Sequence, residues 1–132
     1  MIIGIGTDIV QIPRIARLLK LYGQLFINKI LSSYEIQQLT SVNKELYSHY
    51  LAKRFAAKEA IAKAFGHGIG CGINLKDISI LNDNLGKPFV KISSPLDPDK
   101  FNNLEVYISL SDDYPTAIAF ALVSTKLSIY TR

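Results

Sequence analysis

The opening segment of the chain alternates β-branched residues with small ones and ends near a carboxylate: Ile2-Ile3-Gly4-Ile5-Gly6-Thr7-Asp8-Ile9-Val10. This composition predicts a buried strand. Side chains alternate between the two faces of a strand, so Gly4, Gly6 and Asp8 share one face, and Ile3, Ile5 and Ile9 share the other. The two glycines leave their face open to close approach by another backbone or by a ligand. Two glycines beside a carboxylate make this an unusual face for a strand.

The length of 132 residues predicts one domain, spanning 1–132. Hydrophobic residues make up 48% and charged residues 20%, which excludes disordered and low-complexity classes. The apolar runs are far shorter than the ~20 residues of a membrane span, and no leader pattern is present. We therefore expect a cytoplasmic protein that does not bind membranes. The single cysteine, Cys71, excludes an internal disulfide and a cysteine-based metal cluster.

The basic residues are concentrated in the first half of the chain. Residues 1–66 carry nine Lys or Arg against four Asp or Glu, whereas residues 67–132 carry six against seven. Such a bias favours an anionic partner, which could be a phosphate, a nucleic acid or an acidic protein.

Local signals predict several helices and strands. Pro13 and Gly23 bound a helix over 12–22, and Ser32 with Glu35 forms the capping-box pattern at the start of another. The longest helix should run from about Asn43 to Phe65 and stop at Gly66. Strands are predicted over 77–81, 89–92, 106–111 and 117–123. The order of elements indicates an α+β fold, with the long helix packed on a largely antiparallel sheet.

Two cations interrupt the apolar side of the long helix. Arg54 and Lys58 lie one turn apart there, and a buried cation needs an anion or carbonyl groups as partners. Either their stems reach solvent, or they mark an anion-binding site beside the glycine-rich segment that follows.

Asp8 and the pair Glu59 and Lys63 are candidates for chemistry. A glutamate four residues before a lysine is also a common surface pair worth ~0.3 to 0.5 kcal/mol, so their spacing alone decides nothing. A carboxylate in a buried strand must be hydrogen-bonded, paired or metal-bound. Mg²⁺ typically takes one or two carboxylates together with phosphate oxygens and water. Asp8 with one helical glutamate would suit such a site.

Two segments of the chain resemble the signature segments of holo-acyl-carrier-protein synthase, the small bacterial type of 4′-phosphopantetheinyl transferase. They are Gly4-Ile5-Gly6-Thr7-Asp8-Ile9-Val10 with Ile12-Pro13-Arg14-Ile15, and Arg54-Phe55-Ala56-Ala57-Lys58-Glu59-Ala60 with Lys63-Ala64-Phe65-Gly66. The resemblance extends to Gly86-Lys87-Pro88 and Ser109-Leu110-Ser111, and so covers almost the whole chain in the right order. It implies the single-domain fold of that family.

The resemblance implies a Mg²⁺-dependent transfer of 4′-phosphopantetheine from coenzyme A to a serine of apo acyl carrier protein, releasing adenosine 3′,5′-bisphosphate and supporting fatty acid biosynthesis. Carried over by position, Asp8 and Glu59 match the metal-binding carboxylates, and Glu59 and Lys63 the catalytic residues. The positions that match coenzyme A contacts are Arg54, Lys58, Lys63, Gly66, Gly86, Lys87, Pro88, Ser111 and Asp112.

The family also uses its first helix to dock acyl carrier protein and assembles as a homotrimer. Arg14, Arg17 and Lys20 form a basic stripe on the predicted helix, with Leu21 beside it. These four residues are the expected contacts for an acidic carrier protein, and a plain solvated face is the alternative.

The chain departs from the family pattern at three positions. Asp112 follows Ser111 where many members have histidine, so a histidine base at that position is excluded. His49 stands where related sequences often have arginine, and Thr116 replaces a commonly aromatic residue.

A non-catalytic module that binds RNA or an acidic protein through the basic first half is the competing hypothesis. Such a module would not need Asp8, because a carboxylate repels phosphate unless a cation intervenes. The resemblance favours the enzyme, with no nucleic acid partner.

Overall fold

A computed structural model of the chain describes residues 1–66, 73–93 and 101–127. We label its strands and main helices in chain order: β1 (Ile2–Gln11), α1 (Ile12–Tyr22), α2 (Gln24–Ile30), α3 (Ser33–Leu39), α4 (Tyr47–Ala64), β2 (Ile78–Asn82), β3 (Pro88–Ile92), β4 (Leu104–Asp113) and β5 (Thr116–Thr125). Short 3-10 turns lie at Lys44–Leu46 and Leu75–Asp77. The single cysteine, Cys71, lies outside the described residues.

The strands form two antiparallel sheets within the described ranges. One has the order β1-β5-β4 and the other pairs β2 with β3. In the larger sheet Asp8 lies opposite Ala119, and Leu110 lies opposite Ala119 from the other side. The predicted α+β class with an antiparallel sheet is confirmed.

Helix α4 is the centre of the core and lies against one face of the larger sheet. Its contact residues are small: Ala52, Ala56 and Ala60 are fully buried, and so are Ala117 and Ala121 of β5. Small side chains allow the helix axis to come close to the strands. The position of α4 relative to β1 is therefore closely defined.

The structure differs from the sequence prediction in three places. The long helix begins at Tyr47 rather than Asn43, because a 3-10 turn precedes it. Helix α2 was not predicted: Gly23 ends α1 with φ 54°, and a new helix starts at the next residue. Finally, β1 is buried on only one face, since Ile5 and Ile9 are 62% and 63% exposed.

None of the described helices has the length and apolar character needed to span a membrane.

Candidate active site

The glycine face of β1 meets the backbone of α4. A Cβ on Gly6 would lie 2.0 Å from the Ala60 carbonyl oxygen, and one on Gly4 would lie 2.0 Å from that of Ala64. Neither position tolerates a side chain without moving the helix away from the strand. The predicted close approach is thus made by a helix backbone, and it brings Asp8, two residues further along the same face, to α4.

Lys63 of α4 reaches across this contact to β1. Its Nζ donates to Asp8 Oδ1 over 3.1 Å and to the Thr7 carbonyl oxygen over 3.0 Å. The lysine side chain is 56% exposed and that of Asp8 only 17% exposed. Among the ion pairs of the described residues, Lys63 is therefore paired with the strand rather than with its helical neighbour Glu59.

Glu59 lies close enough to Asp8 for their charges to interact. Partial burial raises the pKa of Glu59 above its ordinary value, the negative charge of Asp8 raises it further, and Lys63 opposes both effects. The structure thus brings together the three residues that the sequence singled out for chemistry: Asp8, Glu59 and Lys63.

The donor set at this point suits a hard divalent cation that keeps other ligands. Two neighbouring carboxylates repel each other, and a cation between them would relieve that repulsion. No group of three or more His, Cys, Asp or Glu side chains suited to a metal occurs in the described part of the chain. Mg²⁺ commonly takes only one or two carboxylates from the protein, so a pair such as Asp8 and Glu59 has the donor chemistry that this ion needs.

A cleft of about 330 Å³ lies between α4, the turn that joins β2 to β3, and the middle of β4. Its lining residues are Lys53, Arg54, Asn82, Gly86, Pro88, Ile108, Ser109 and Leu110. A neighbouring cleft of about 360 Å³ shares Lys53, Arg54 and Asn82 with it and adds His49, Tyr50 and Asp112 among others. The structure thus assembles Arg54, Gly86, Pro88 and Asp112, which sequence comparison had grouped, around two adjoining basic clefts.

The turn between β2 and β3 forms one wall of the first cleft. Gly86 adopts φ 82°, a conformation that side chains disfavour, and Asp83 accepts hydrogen bonds from the backbone nitrogens of Leu85 and Lys87 over 2.9 Å each. Lys87 is exposed on this turn. The glycine and the aspartate together fix the shape of the turn that carries Lys87.

Three other residues that the family resemblance assigned to coenzyme A binding are Asp112, Ser111 and Gly66. Asp112 forms an ion pair with Lys53 over 3.4 Å, whereas Ser111 points to the opposite, exposed face of the sheet. Gly66 is exposed just beyond α4 with φ 79°. Within one chain, Ser111 is therefore not brought to the cleft that contains Arg54.

Lys58 occupies the protein interior, and its predicted contact with coenzyme A needs correction. The side chain is fully buried, and its ammonium group is paired with the Glu35 carboxylate and donates to the carbonyl oxygens of Ile30 and Leu75. These three acceptors match the three donors of an ammonium group. We therefore assign Lys58 to the core and not to a ligand site.

Arg54 is almost fully buried, yet it lines both clefts. Its side chain is 6% exposed, its guanidinium carbon lies 3.6 Å from the centre of the Tyr50 ring, and its Nη2 donates to the Ile80 carbonyl oxygen over 3.3 Å. Burial lowers the pKa of Arg54, and Tyr50 and Glu35 oppose that effect. It remains a cation that lines both clefts.

Sequence reasoning missed Glu35 as a partner of these cations. It was recognised only as a helix cap, and the structure confirms the reciprocal hydrogen bonds with Ser32. The signal that could have found it was the presence of two cations on the apolar side of α4, which required a buried anion somewhere in the chain.

The basic stripe of α1 is exposed, as predicted. Arg14, Arg17 and Lys20 are all on the surface, and Leu21 is 67% exposed. Beside them, Leu18, Tyr22, Leu25 and Phe26 line a largely apolar groove of about 650 Å³, edged by Lys29 and Lys76. The contribution of α2 to this surface could not be predicted, since α2 itself was not.

Known proteins match this chain in sequence and in structure. The family model of the 4′-phosphopantetheinyl transferase superfamily matches residues 4–119. A holo-[acyl-carrier-protein] synthase of Orientia tsutsugamushi is 48% identical over 131 residues, covering 96% of this chain and 100% of the relative.

Solved structures agree. A holo-[acyl-carrier-protein] synthase from Neisseria meningitidis has a TM-score of 0.85 at 42% identity, covering 95% of this chain and 100% of the other. One from Bacillus anthracis in complex with CoA (3′,5′-ADP) has a TM-score of 0.82 at 32% identity, covering 96% of this chain and 99% of the other.

The chain therefore belongs to the 4′-phosphopantetheinyl transferase superfamily, and within it to the holo-[acyl-carrier-protein] synthases. It is accordingly an enzyme. The competing hypothesis of a non-catalytic binding module is not favoured by these matches.

Proposed function

We propose that this enzyme transfers the 4′-phosphopantetheine group of coenzyme A to a serine hydroxyl of apo acyl carrier protein, with Mg²⁺ held by Asp8 and Glu59. The observation that supports the proposal most directly is the contact between Lys63 Nζ and Asp8 Oδ1 over 3.1 Å, next to Glu59. The chain also has a basic cleft lined by Arg54. The serine oxygen forms a bond to the β-phosphorus, and the bond from that phosphorus to the bridging oxygen breaks. Adenosine 3′,5′-bisphosphate leaves with the electron pair.

The residues of the chain supply binding and charge for this reaction. When bound, Mg²⁺ would neutralise charge on the diphosphate oxygens. Lys63 has an exposed ammonium group at the same place and would donate to a phosphate oxygen, while Glu59 or a water ordered by the metal would accept the serine proton. Arg54, Lys53 and the turn at Gly86 and Lys87 would hold other phosphates of coenzyme A.

The position of Arg54 on α4 supports a site shared between chains. Five residues separate Arg54 from Glu59, which corresponds to a rotation of about 140° around a helix. The cleft and the carboxylate pair therefore lie on different sides of α4 within one chain. A homotrimer, in which one chain contributes the carboxylates and its neighbour the cleft, would unite them.

The outer face of the larger sheet offers a surface for such an assembly. The exposed side chains there include Ile3, Ile5, Ile9, Ile118 and Phe120. Contiguous apolar surface of this kind marks an interaction site, and a second face of a sheet is normally polar when it meets water. We propose that this face is covered by neighbouring copies of the chain.

Acyl carrier protein would dock on the basic stripe of α1. Arg14, Arg17 and Lys20 would face its acidic side chains, and Leu21 would add apolar contact. We further propose that residues 1–132 form a single domain. A cytoplasmic location and a role in fatty acid biosynthesis remain predictions.

Mass spectrometry of apo acyl carrier protein tests the proposal directly. After incubation with enzyme, Mg²⁺ and coenzyme A, the carrier protein should gain the mass of phosphopantetheine on one serine, and a chelator should abolish the gain. Asp8→Ala should remove it as well, whereas Glu45→Gln, which changes an exposed carboxylate on the 3-10 turn, should not. A mass gain that survives complete chelation would contradict the metal dependence.

A further inference from the structure

Glu35 is a buried carboxylate that is held rigidly from several elements. Its Oε1 accepts from the backbone nitrogen of Ser32 over 2.9 Å and from the ammonium group of Lys58, and its Oε2 accepts from the backbone nitrogen of Ile80 over 3.2 Å. These partners come from the start of α3, from α4 and from β2. The carboxylate is therefore a fixed point where three elements meet.

The same carboxylate faces Arg54. The distance from Arg54 Nε to Glu35 Oε2 is 3.6 Å, and this Nε has no hydrogen-bond partner among the described residues. Together with the Ile80 carbonyl oxygen and the ring of Tyr50, Glu35 fixes one edge and one face of the guanidinium group. Arg54 also lines both basic clefts.

The charges of this cluster do not cancel. Lys58 and Arg54 contribute two positive charges and Glu35 one negative charge, and Tyr50 is neutral because the ordinary pKa of a phenol is far above 7 and burial raises the pKa of Tyr50 further. Lys58 already neutralises Glu35 through direct contact, and it has no exposed surface. The positive charge that remains is that of Arg54, the member of the cluster that reaches a cleft, so an anion in the cleft would complete the balance.

We propose that Glu35 is a positioning residue for coenzyme A binding: it orients Arg54 toward the cleft, while Lys58 neutralises Glu35 and so leaves the charge of Arg54 available to a phosphate. This inference rests on the proposed function, because it takes coenzyme A as the ligand of the cleft. It assigns to the helix cap of α3 a role in the affinity for the donor substrate.

Calorimetric binding of coenzyme A to the full chain, together with steady-state transfer kinetics, tests the inference. Glu35→Gln alone leaves Lys58 without its anion and is expected to lose stability. Combining Glu35→Gln with Lys58→Met removes both charges of the pair and avoids an unpaired buried cation. We expect the double variant to bind coenzyme A about tenfold more weakly, by analogy with the lower end of the loss seen when a group that orients a metal ligand is removed. KM for coenzyme A should rise while kcat changes little.

Coupling to Arg54 distinguishes positioning from a general loss of structure. In an Arg54→Met background the double change should have no further effect on coenzyme A affinity. Leu39→Ala, which truncates a buried residue of the same α3 helix, should lower stability without this coupling. Arg54→Lys keeps the charge but lacks the Nε that faces Glu35, and it should also weaken binding.

The possible results separate the positioning role of Glu35 from the proposed transferase activity. Unchanged affinity in Arg54→Lys, or an equal loss from the double change in the presence and absence of Arg54, would overturn the positioning role while leaving the transferase activity intact. Wild-type protein that neither binds coenzyme A nor modifies the carrier protein would overturn the proposed function and this inference together.

Discussion

Lys63 of helix α4 and Asp8 of strand β1 are 55 residues apart in sequence, and Lys63 Nζ donates to Asp8 Oδ1 over 3.1 Å. This contact forms because the glycines at positions 4 and 6 let the helix backbone lie directly on the strand. It gives the carboxylate a cation partner at the point where we propose that Mg²⁺ and a diphosphate bind.

Replacing Lys63 separates its role from that of the metal ligands. In Lys63→Met we expect kcat to fall about 100-fold, the lower end of the loss seen when a donor to a developing charge is removed. The affinity for Mn²⁺, measured by electron paramagnetic resonance, should not fall, because the two carboxylates lose a competing cation. Lys44→Met removes an exposed lysine from the 3-10 turn and should change neither quantity. Weaker Mn²⁺ binding in Lys63→Met would contradict this division of roles.

We expect Glu59 to destabilise the folded, metal-free protein at neutral pH. Its pKa is raised in the folded state, so the folded protein binds more protons than the unfolded chain in the pH range between the two values, and stability falls as pH rises through that range. Glu59→Gln should therefore raise the free energy of unfolding at pH 7 in the presence of chelator. The gain should shrink as the pH approaches the ordinary value for glutamate, about 4.3.

Urea unfolding at several pH values measures this difference. The same variant should lose transfer activity, which would make Glu59 a residue that trades stability for function. A gain that stays constant over the whole pH range would show that the carboxyl charge is not its cause.

A methyl group at Gly6 should disturb both the core and the site. Gly6→Ala places a Cβ 2.0 Å from the Ala60 carbonyl oxygen, so β1 and α4 must separate. We expect a loss of about 3 kcal/mol, the upper range for overpacking a core, together with reduced activity as Asp8 moves away from Lys63. Thr7→Ala, on the opposite and exposed face of the same strand, should cost far less by denaturant unfolding. Equal losses at the two positions would argue against the close packing.

Charge reversal on α1 should affect encounter with the carrier protein rather than chemistry. For Arg14→Glu combined with Arg17→Glu, kcat/KM for apo acyl carrier protein should fall at least tenfold at low salt and become less dependent on salt, because such surface charges mainly set association rates. kcat at saturating carrier protein and KM for coenzyme A should stay near the wild-type values. Lys44→Glu, which reverses one exposed charge outside α1, shows how much of the effect per reversed charge comes from net charge alone. A loss confined to kcat would place these residues in the catalytic step instead.

The exposed isoleucines of β1 should decide the oligomeric state. Light scattering should give a mass near three chains for the wild-type protein, and Ile5→Glu combined with Ile9→Glu should give a single chain with little activity. Tyr34→Glu, an exposed apolar residue away from the sheet, should leave the assembly unchanged. A wild-type protein that is monomeric and fully active would contradict the shared site.

The helices and strands that local patterns encode were largely predictable. Pro13 and Gly23 predicted α1, and Ser32 with Glu35 predicted the capping box of α3, because such signals act between residues close in sequence. Helix α2 had no such signal of its own. Gly23 is both the C-cap of α1 and the N-cap of α2, and the sequence pattern indicated only the first of these roles.

Some residues of the candidate site could be predicted from the sequence, whereas the role of Lys58 could not. Asp8 could be singled out from the residues alone because a buried carboxylate requires a close partner, whereas Glu59 and Lys63 were assigned through the resemblance to the family's second signature segment. The assignment of Lys58 to the ligand site was wrong, because its anion, Glu35, lies 23 residues earlier in the chain and no local pattern connects the two.

The order of apolar, glycine and charged residues by itself determined which face of β1 is open to close approach and where α1 and the capping box of α3 lie, since those choices depend on near neighbours and on steric exclusion at the backbone. Only the tertiary structure decided that Lys58 is neutralised in the core while Arg54 keeps its charge beside a cleft. The free energy of a buried charge depends on which distant elements surround it, and folding alone brings those elements together.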